Sequence, residues 1–600
     1  MDAMSVASRS GEPFVPLPIV SERSKVSELE ARHGLRNVLI VAFVAAITLL
    51  PIMIFGIPNG ADLPNHLRFA LPFYESLQAG HFHPGWLAES NYGLGDPRFI
   101  FYPPGLYYLL SASRMLTGEW YSASILTFIV LSVAGGLGAY FWARTVFDSR
   151  IAMWAGILYV LAPYRLNELY QASLLSEYAA CSILPFAFAF VERVIKRKSI
   201  YDVAGLGASY ALMILTHLPT AVIGSIALAI YALLRVYARK AGSDQPLKSL
   251  REDVLAPLGR LAVGIILGLA ASSFFWTWML SELSWIKGSS SDPNPYYDYR
   301  LNFLFSPSAL TNRNTWYGNI LALAAIGFLL PGIAFIIGSF KRDKSNRPLN
   351  AAFVLLLLTF LMATSLSQPV WAVIPKLSEV QFPWRWLSIT SLMGALVFAG
   401  SIPKWKERFR AKLRPRDFAV ALAFALSLVF TGTQIIQEGD YIDRAKFEPM
   451  AQDVRGAVSF KDWLPLSARD FMNVQKMSAK VDAGARPVII NTWEAERRTF
   501  HLGAGAENTL RVRTYFYPLW QAKADGQVLA TTATADGLLL ISAPTQAADI
   551  ELSFEQPLSV HLFELLSTIS WVLIIGSLLS VFIKTRRSRS YLRASQTVYP

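Results

Sequence analysis

The residues of this 600-residue chain best equipped for chemistry crowd into a few short segments, the richest being Gly60-Ala61-Asp62-Leu63-Pro64-Asn65-His66-Leu67-Arg68. Pro64 near a start and Gly80 at a stop predict a helix along a membrane surface, with Leu63, Leu67, Ala70 and Leu71 as its apolar stripe. Asp62 and His66 then stand about one turn apart. A carboxylate at a helix N-terminus is either the cap of that helix or, kept ionised by the helix dipole, a base able to take a proton from a hydroxyl. Both readings of Asp62 stay open.

Asp96 follows in Gly93-Leu94-Gly95-Asp96-Pro97-Arg98, where it suits either a turn with a local ion pair or a polar site, and Tyr102 sits in an aromatic run typical of a membrane interface. Arg165 and Glu168 lie in Pro163-Tyr164-Arg165-Leu166-Asn167-Glu168, and Glu177 opens a later apolar run. His217, in Leu215-Thr216-His217-Leu218-Pro219, is a helix-end residue or a ligand. Arg385 lies between Trp384 and Trp386, where two indoles would hold a guanidinium by stacking and present it to a phosphate; snorkelling at the interface is the plainer alternative. His66, His81, His83 and His217 with Asp62 and Asp96 offer ligands for a divalent metal ion, but no spacing matches a zinc motif. A phosphate-binding glycine loop, a dinucleotide fingerprint and a nucleophile elbow are all missing, which argues against a soluble nucleotide-using enzyme.

The elements that must position these residues are membrane helices. With 53% hydrophobic and 16% charged residues and a mean hydropathy of +0.36, the chain is too apolar for a soluble enzyme. The formal charge of +13 comes from clusters beside apolar runs, which orient helices against anionic membrane lipids and do not suggest nucleic acid. Cys181 is the single cysteine, so no intrachain disulfide forms.

Apolar runs at 38–57, 119–143, 151–163, 177–193, 200–217, 219–235, 258–281, 317–339, 350–367, 386–402, 416–435 and 561–583 predict about 12 transmembrane helices. Basic clusters at Arg193 to Lys198, Arg235 to Arg251, Lys341 to Arg347, Lys404 to Arg416 and Lys584 to Arg589 fall on one side of that count. The positive-inside rule then makes both termini cytoplasmic and puts 58–118, 282–316 and 436–560 outside. The predicted organisation is a cytoplasmic tail over 1–36, a transmembrane domain over 37–435 with first outer loop 58–118, an outer β-rich domain over 436–560, a last helix over 561–583 and a cytoplasmic tail over 584–600. Alternation in Thr509 to Tyr517 and Asp549 to Phe554, with hairpin signals at Asp525-Gly526 and Asp536-Gly537, carries the β reading. Disorder is expected in the first 30 or so residues and in the C-terminal tail.

The order of Asp62-Leu63-Pro64-Asn65-His66-Leu67, Gly93-Leu94-Gly95-Asp96-Pro97, Phe101-Tyr102-Pro103-Pro104, Pro163-Tyr164-Arg165 with Glu168 and Tyr170, Ser176-Glu177, Leu215-Thr216-His217 and Phe382-Pro383-Trp384-Arg385-Trp386 resembles bacterial membrane proteins labelled "6-pyruvoyl-tetrahydropterin synthase-related domain", which look like members of the GT-C glycosyltransferase superfamily. The resemblance covers most of 35–435, and Tyr517-Pro518-Leu519-Trp520 with Asp525-Gly526 is similar to the outer β domain of YfhO-like glycosyltransferases. Pterin chemistry does not carry over, since no soluble core with a histidine metal triad is present.

What the resemblance implies is a bacterial inner-membrane enzyme that moves a sugar from a polyprenyl-phosphate donor to an envelope acceptor outside the membrane. Asp62 matches the place of the catalytic base in the first outer loop. His66, Arg68, Asp96, Tyr102, Arg165, Glu168, Glu177, His217, Trp384 and Arg385 are the expected substrate-binding residues, with Arg385, Arg165 and His217 set against the leaving phosphate. A transporter or flippase of lipid-linked saccharides, or a non-catalytic scaffold for surface polysaccharide assembly, are the rival expectations.

Overall fold

The computed structural model describes residues 20–241, 250–288, 297–339, 347–411, 413–457, 461–468 and 477–596. The basic cluster at Lys341 to Arg347, apart from Arg347, and the middle of Arg235 to Arg251 lie outside the described residues. Among the described residues, eight helices are long and apolar enough to cross a membrane and four shorter apolar helices accompany them, together standing at the twelve apolar runs. The chain is a polytopic helical membrane protein with a C-terminal β region.

Two helices form the centre of the bundle. The spans within Leu175–Lys196 and Pro383–Arg410 are each 83% buried inside the protein, whereas those of Pro415–Ile436 and Leu558–Ser580 are 22% and 17% buried and turn most of their surface outward. Small residues allow the close approach of neighbours: Gly136 and Gly156 let Trp120–Ala143 and Ser149–Val160 meet, since a Cβ on Gly156 would lie 2.8 Å from the Gly136 carbonyl oxygen.

Two apolar runs that read as single helices are broken. The first bends at Thr48-Leu49, and its second part, Leu50–Phe55, ends at Gly56 with φ 111°. The run over 258–281 divides at Ser272 into Ala256–Ala271 and Ser273–Glu282. The last helix is fastened at the break, because Ser567 Oγ donates to Ala271 O at 2.5 Å and Ser273 Oγ to Phe563 O at 3.0 Å. Helical structure also starts at Val20 and runs to Gln596, in segments where disorder was expected.

The first outer loop holds helices Leu63–Gln78 and Gly105–Thr117. Leu63, Leu67, Ala70 and Leu71 are buried as a stripe, but it faces protein. Helix Arg444–Arg455, from the far end of the sequence, covers it, fastened by Arg455–Glu75 at 2.9 Å and by Glu448 accepting from Tyr121 N at 2.8 Å. The expected surface helix is therefore an internal one, because residues 441–455 supply the cover that lipid would have given. A two-strand clasp, Ile57–Pro58 paired with Tyr441–Ile442, fixes that return.

The β region proper runs from Val481 to Phe554 as two antiparallel sheets of four and five strands. Strand Thr509–Tyr515 of one sheet and strand Ala548–Phe554 of the other alternate inward and outward side chains, and Leu510, Val512, Leu539 and Ile541 share a core with Phe500, Leu502, Trp520, Ile550 and Leu552. Asp525 and Gly526 adopt φ 47° and 85° in the two-residue turn between Trp520–Ala524 and Gln527–Leu529, as the Asp-Gly signal predicts. Trp86 of the first loop inserts into this sandwich against Trp520, Tyr517 and Phe554, and Gly95 is obligatory there because a Cβ would sit 2.1 Å from the Trp86 indole nitrogen. Tyr517 donates to Glu282 at 2.9 Å and Ile286 bridges Pro465, so the three long segments meet at one end of the bundle.

Candidate functional site

The polar residues of that end converge from five segments. Asp62 occupies the N-cap position of helix Leu63–Gln78 but makes no side-chain cap bond. Instead its Oδ1 accepts from Asn65 Nδ2 at 3.2 Å, and Asn65 Oδ1 accepts from Arg68 Nη1 at 3.2 Å. One face of the helix thus carries carboxylate, amide and guanidinium in sequence. The Asp62 backbone is anchored to the turn before helix Leu175–Lys196: its N–H donates to Ala172 O at 3.2 Å, and Gly60 N–H donates to Ser173 Oγ at 3.1 Å. Ser173 holds φ at 50°, a left-handed conformation rare for a residue other than glycine, which the surrounding bonds maintain.

His66 is buried below Asp62. Its Nδ1 meets Tyr107 OH at 3.0 Å while Nε2 accepts from Leu175 N–H at 3.2 Å, an arrangement that requires the proton on Nδ1. Burial pushes the imidazole down to about 4, so it is neutral at physiological pH. Tyr102 donates to Ser176 Oγ at 3.2 Å; burial raises its phenol, and Asp62 and Arg385 both act on it electrostatically. Arg385 reaches the same place from the short helix Pro383–Trp386. Its Nε donates to Glu177 Oε2 at 3.0 Å and its Nη1 to Val380 O at 2.6 Å, and Nη2 has no hydrogen-bond partner among the described residues. Glu177 is completed by Tyr164 OH at 2.8 Å. His217, within electrostatic reach of both Arg385 and His66, uses Nδ1 toward Thr220 Oγ1 at 2.8 Å.

The floor of this arrangement, His66, Glu177 and Arg385, is buried, and its rim, Asp62, Tyr102, His217 and Trp384, is half-buried. A carboxylate, a neutral imidazole and a guanidinium with an uncommitted Nη2 are therefore brought together beside partly open groups.

Other expected site residues serve elsewhere. Asp96 is fully buried in an ion pair with Arg98 at 2.7 Å, accepts from Asn91 Nδ2 at 2.9 Å, and receives Arg98 N–H at 3.1 Å. Both its oxygens are occupied, and the ion pair locks the turn. Arg98 extends the lock by donating to Arg68 O at 3.1 Å and stacking 4.3 Å from the centre of Phe69. Arg165 is a buried cation between the rings of Tyr178 and Tyr159, donating to Ser182 Oγ at 2.7 Å and Leu131 O at 3.2 Å. It ties helices together, with Gly135 leaving it room. Glu168 accepts from the Cys181 thiol at 3.3 Å, and burial followed by the neighbouring Glu177 raises its carboxyl. Trp384 and Trp386 do not sandwich Arg385: Trp384 stacks on Phe382 at 4.3 Å, Trp386 enters the core, and the guanidinium lies 5.0 Å over Phe382.

Asn65, Tyr107, Tyr164 and Ser176 complete the site and were not singled out from the sequence. Asn65, three residues after Asp62 on a helix, carried a readable signal; the tyrosines did not, since aromatic residues abound in the chain. Among the described residues no group of three or more His, Cys, Asp or Glu side chains gathers as a metal site, and His66 has both ring nitrogens engaged. The set does not fit a resident divalent ion.

Fold and site together define a multi-pass helical membrane protein whose first loop carries part of the polar site and docks a β-sandwich. The chain belongs to the family of membrane proteins described as "6-pyruvoyl-tetrahydropterin synthase related domain", whose model matches residues 99–439. A comparison with curated proteins finds no match. Among solved structures, the chain is similar to the arabinofuranosyltransferase AftD from Mycobacteria, at 17% identity and TM-score 0.40, over 67% of this chain and 28% of AftD. It is also similar to the Archaeoglobus fulgidus oligosaccharyltransferase, at 14% identity and TM-score 0.41, over 71% of this chain and 56% of that one. ArnT from Cupriavidus metallidurans bound to undecaprenyl phosphate matches at 14% identity and TM-score 0.38, over 70% of this chain and 74% of ArnT. The matched region spans under a third of AftD and about half of the oligosaccharyltransferase.

Proposed function

We propose that the chain is a membrane glycosyltransferase that moves a sugar from a polyprenyl-phosphate donor to an acceptor hydroxyl at the β-sandwich end of the bundle, with inversion. The observation that carries this reading is the pairing, from separate elements, of a half-buried carboxylate that caps nothing with an arginine whose Nη2 is uncommitted. Asp62 Oδ2 has no hydrogen-bond partner among the described residues, and Arg385 Nη2 has none either.

In the proposed reaction Asp62 takes the proton of the acceptor hydroxyl as its oxygen bonds to the anomeric carbon. The bond from that carbon to the phosphate oxygen breaks, and the electron pair leaves with the lipid phosphate. Arg385 Nη2 and His217 stabilise the departing charge. Glu177 and Tyr164 act by holding Arg385 in place, since both Glu177 oxygens are already used. The neutral His66 supports the helix that carries Asp62 and takes no proton from substrate. The β-sandwich, docked on the first loop, is placed to meet the acceptor. The end of the bundle bearing the site is outside the cytoplasm: helices Leu175–Lys196 and Leu387–Arg410 start near it and finish in the basic residues Arg193 to Lys198 and Lys404 to Arg410.

Asp62→Asn keeps the shape and the Asn65 contact while removing the base. With a defined polyprenyl-phosphate sugar and the purified protein, transfer is expected to fall by roughly 10²- to 10⁴-fold with the fold retained. Full turnover by this variant would remove Asp62 from the reaction. Movement of the lipid-linked sugar across proteoliposomes with no transfer by the wild type would replace an enzyme by a transporter.

A further inference from the structure

At the opposite end of the bundle a cleft of about 520 Å³ opens between helices Ile200–Thr216 and Ala256–Ala271. We propose that this cleft binds an anionic phospholipid. Three observations, independent of the catalytic reading, carry the assignment.

The first is its shape. The two helices touch through glycine: a Cβ on Gly268 would lie 2.8 Å from the Gly207 carbonyl oxygen, and one on Gly207 would lie 3.2 Å from that of Gly264. Toward the start of both helices they separate, and a Cβ on Gly259 meets nothing within 4 Å. The result is a wedge walled by Ile200, Val203 and Val263 and closed by backbone at its apex.

The second is its charge. Lys198, Ser199 and Arg260 line the cleft beside those apolar walls. The nearby acids are already matched: Asp202 pairs with Arg193 at 2.5 Å, and Glu192 with Arg235 at 2.7 Å and Lys196 at 3.1 Å. Glu252 and Asp253, just before the second helix, are not among the lining residues. Lys198 and Arg260 have no carboxylate partner among the described residues; Arg260 only donates to Val194 O at 3.3 Å, and its Nε is buried without a partner.

The third is its place. Ser199 precedes a 17-residue helix that ends just before His217, so the cleft lies about 25 Å from the polar site and shares none of its residues. Cations at the mouth of an apolar wedge match one phosphate attached to acyl chains.

The test uses the full chain purified in detergent, with lipid retention read by native mass spectrometry. Phosphatidylglycerol is expected to bind several-fold more tightly than phosphatidylcholine, and Lys198→Gln or Arg260→Gln to weaken phosphatidylglycerol alone by roughly fivefold. Gly259→Leu, which meets no neighbour in the protein, is expected to displace the lipid with the fold intact. Arg197→Gln removes an exposed cation of the same cluster that does not line the cleft, and is expected to change nothing. Equal retention of both lipids, equal effects of the Arg197 and Lys198 variants, or full competition by glycerol phosphate without acyl chains would each overturn the proposal. Lys198 is exposed and unpartnered, so its variant reports on binding even if Arg260→Gln disturbs folding.

Discussion

Asp62 and His66 show how neighbours one helical turn apart acquire opposite states. Asp62 is half-buried and keeps an oxygen free, whereas burial holds His66 neutral between a phenol and a backbone N–H. This has a consequence for pH. His66 takes up a proton near 6.5 when unfolded and near 4 when folded, so between those values the unfolded chain binds the extra proton and stability falls as pH is lowered. The full loss is on the order of 3 kcal/mol, complete below about pH 4. His66→Gln is expected to lower stability at pH 7 but to flatten this acid limb; thermal unfolding in detergent at pH 7 and pH 4.5 measures it. The same acid sensitivity in variant and wild type would show that His66 is not its source.

At the scale of elements, the site depends on contacts between segments nearly 400 residues apart. The strand pair Ile57–Pro58 with Tyr441–Ile442 sets the exit of the first membrane helix, and helix Arg444–Arg455 then covers the helix that carries Asp62. Gly56 permits the clasp, because its φ of 111° is strained for any other residue and a Cβ would lie 2.3 Å from Ile442 O. Gly56→Ala is expected to destabilise the protein by about 1–3 kcal/mol and to raise amide exchange at 441–455 ahead of the membrane helices. Unchanged exchange there would mean that the clasp does not hold the cover. The β-sandwich is joined as firmly: Glu496 in a hairpin accepts from Gly85 N at 2.6 Å and Trp86 N at 3.1 Å.

For the whole molecule, the bundle has a polar, loop-rich end and a basic end, and the proposed activity requires the first to lie outside the cytoplasm. Cys181 is buried and unpaired, so replacing it with Ala gives a background for labelling. In that background Asp525→Cys, on a sandwich turn, is expected to react with a membrane-impermeant maleimide in intact cells, and Arg197→Cys, an exposed residue of the basic end, only after lysis. The reverse pattern would invert the orientation and with it the source of the sugar donor.

Reading the chain alone recovers what depends on local pattern. Runs of about 20 apolar residues specify membrane helices because every backbone group must be satisfied within lipid. Asp-Gly between alternating stretches specifies a hairpin, and Pro64 with an apolar stripe specifies the Asp62 helix. Asp62, His66, Glu177, His217 and Arg385 were also legible as unusual polar residues at helix ends. Their partners were not, since whether a polar residue faces a substrate or a neighbour depends on which segments meet. Asp96 and Arg165 look as chemically capable as Arg385 in sequence, yet close packing gives Asp96 to Arg98 and encloses Arg165 between two tyrosines, while Arg385 is held by Glu177 and Val380 with its Nη2 uncommitted. Likewise the apolar stripe announced a buried face, and only the return of residues 441–455 decided that protein, and not lipid, would bury it.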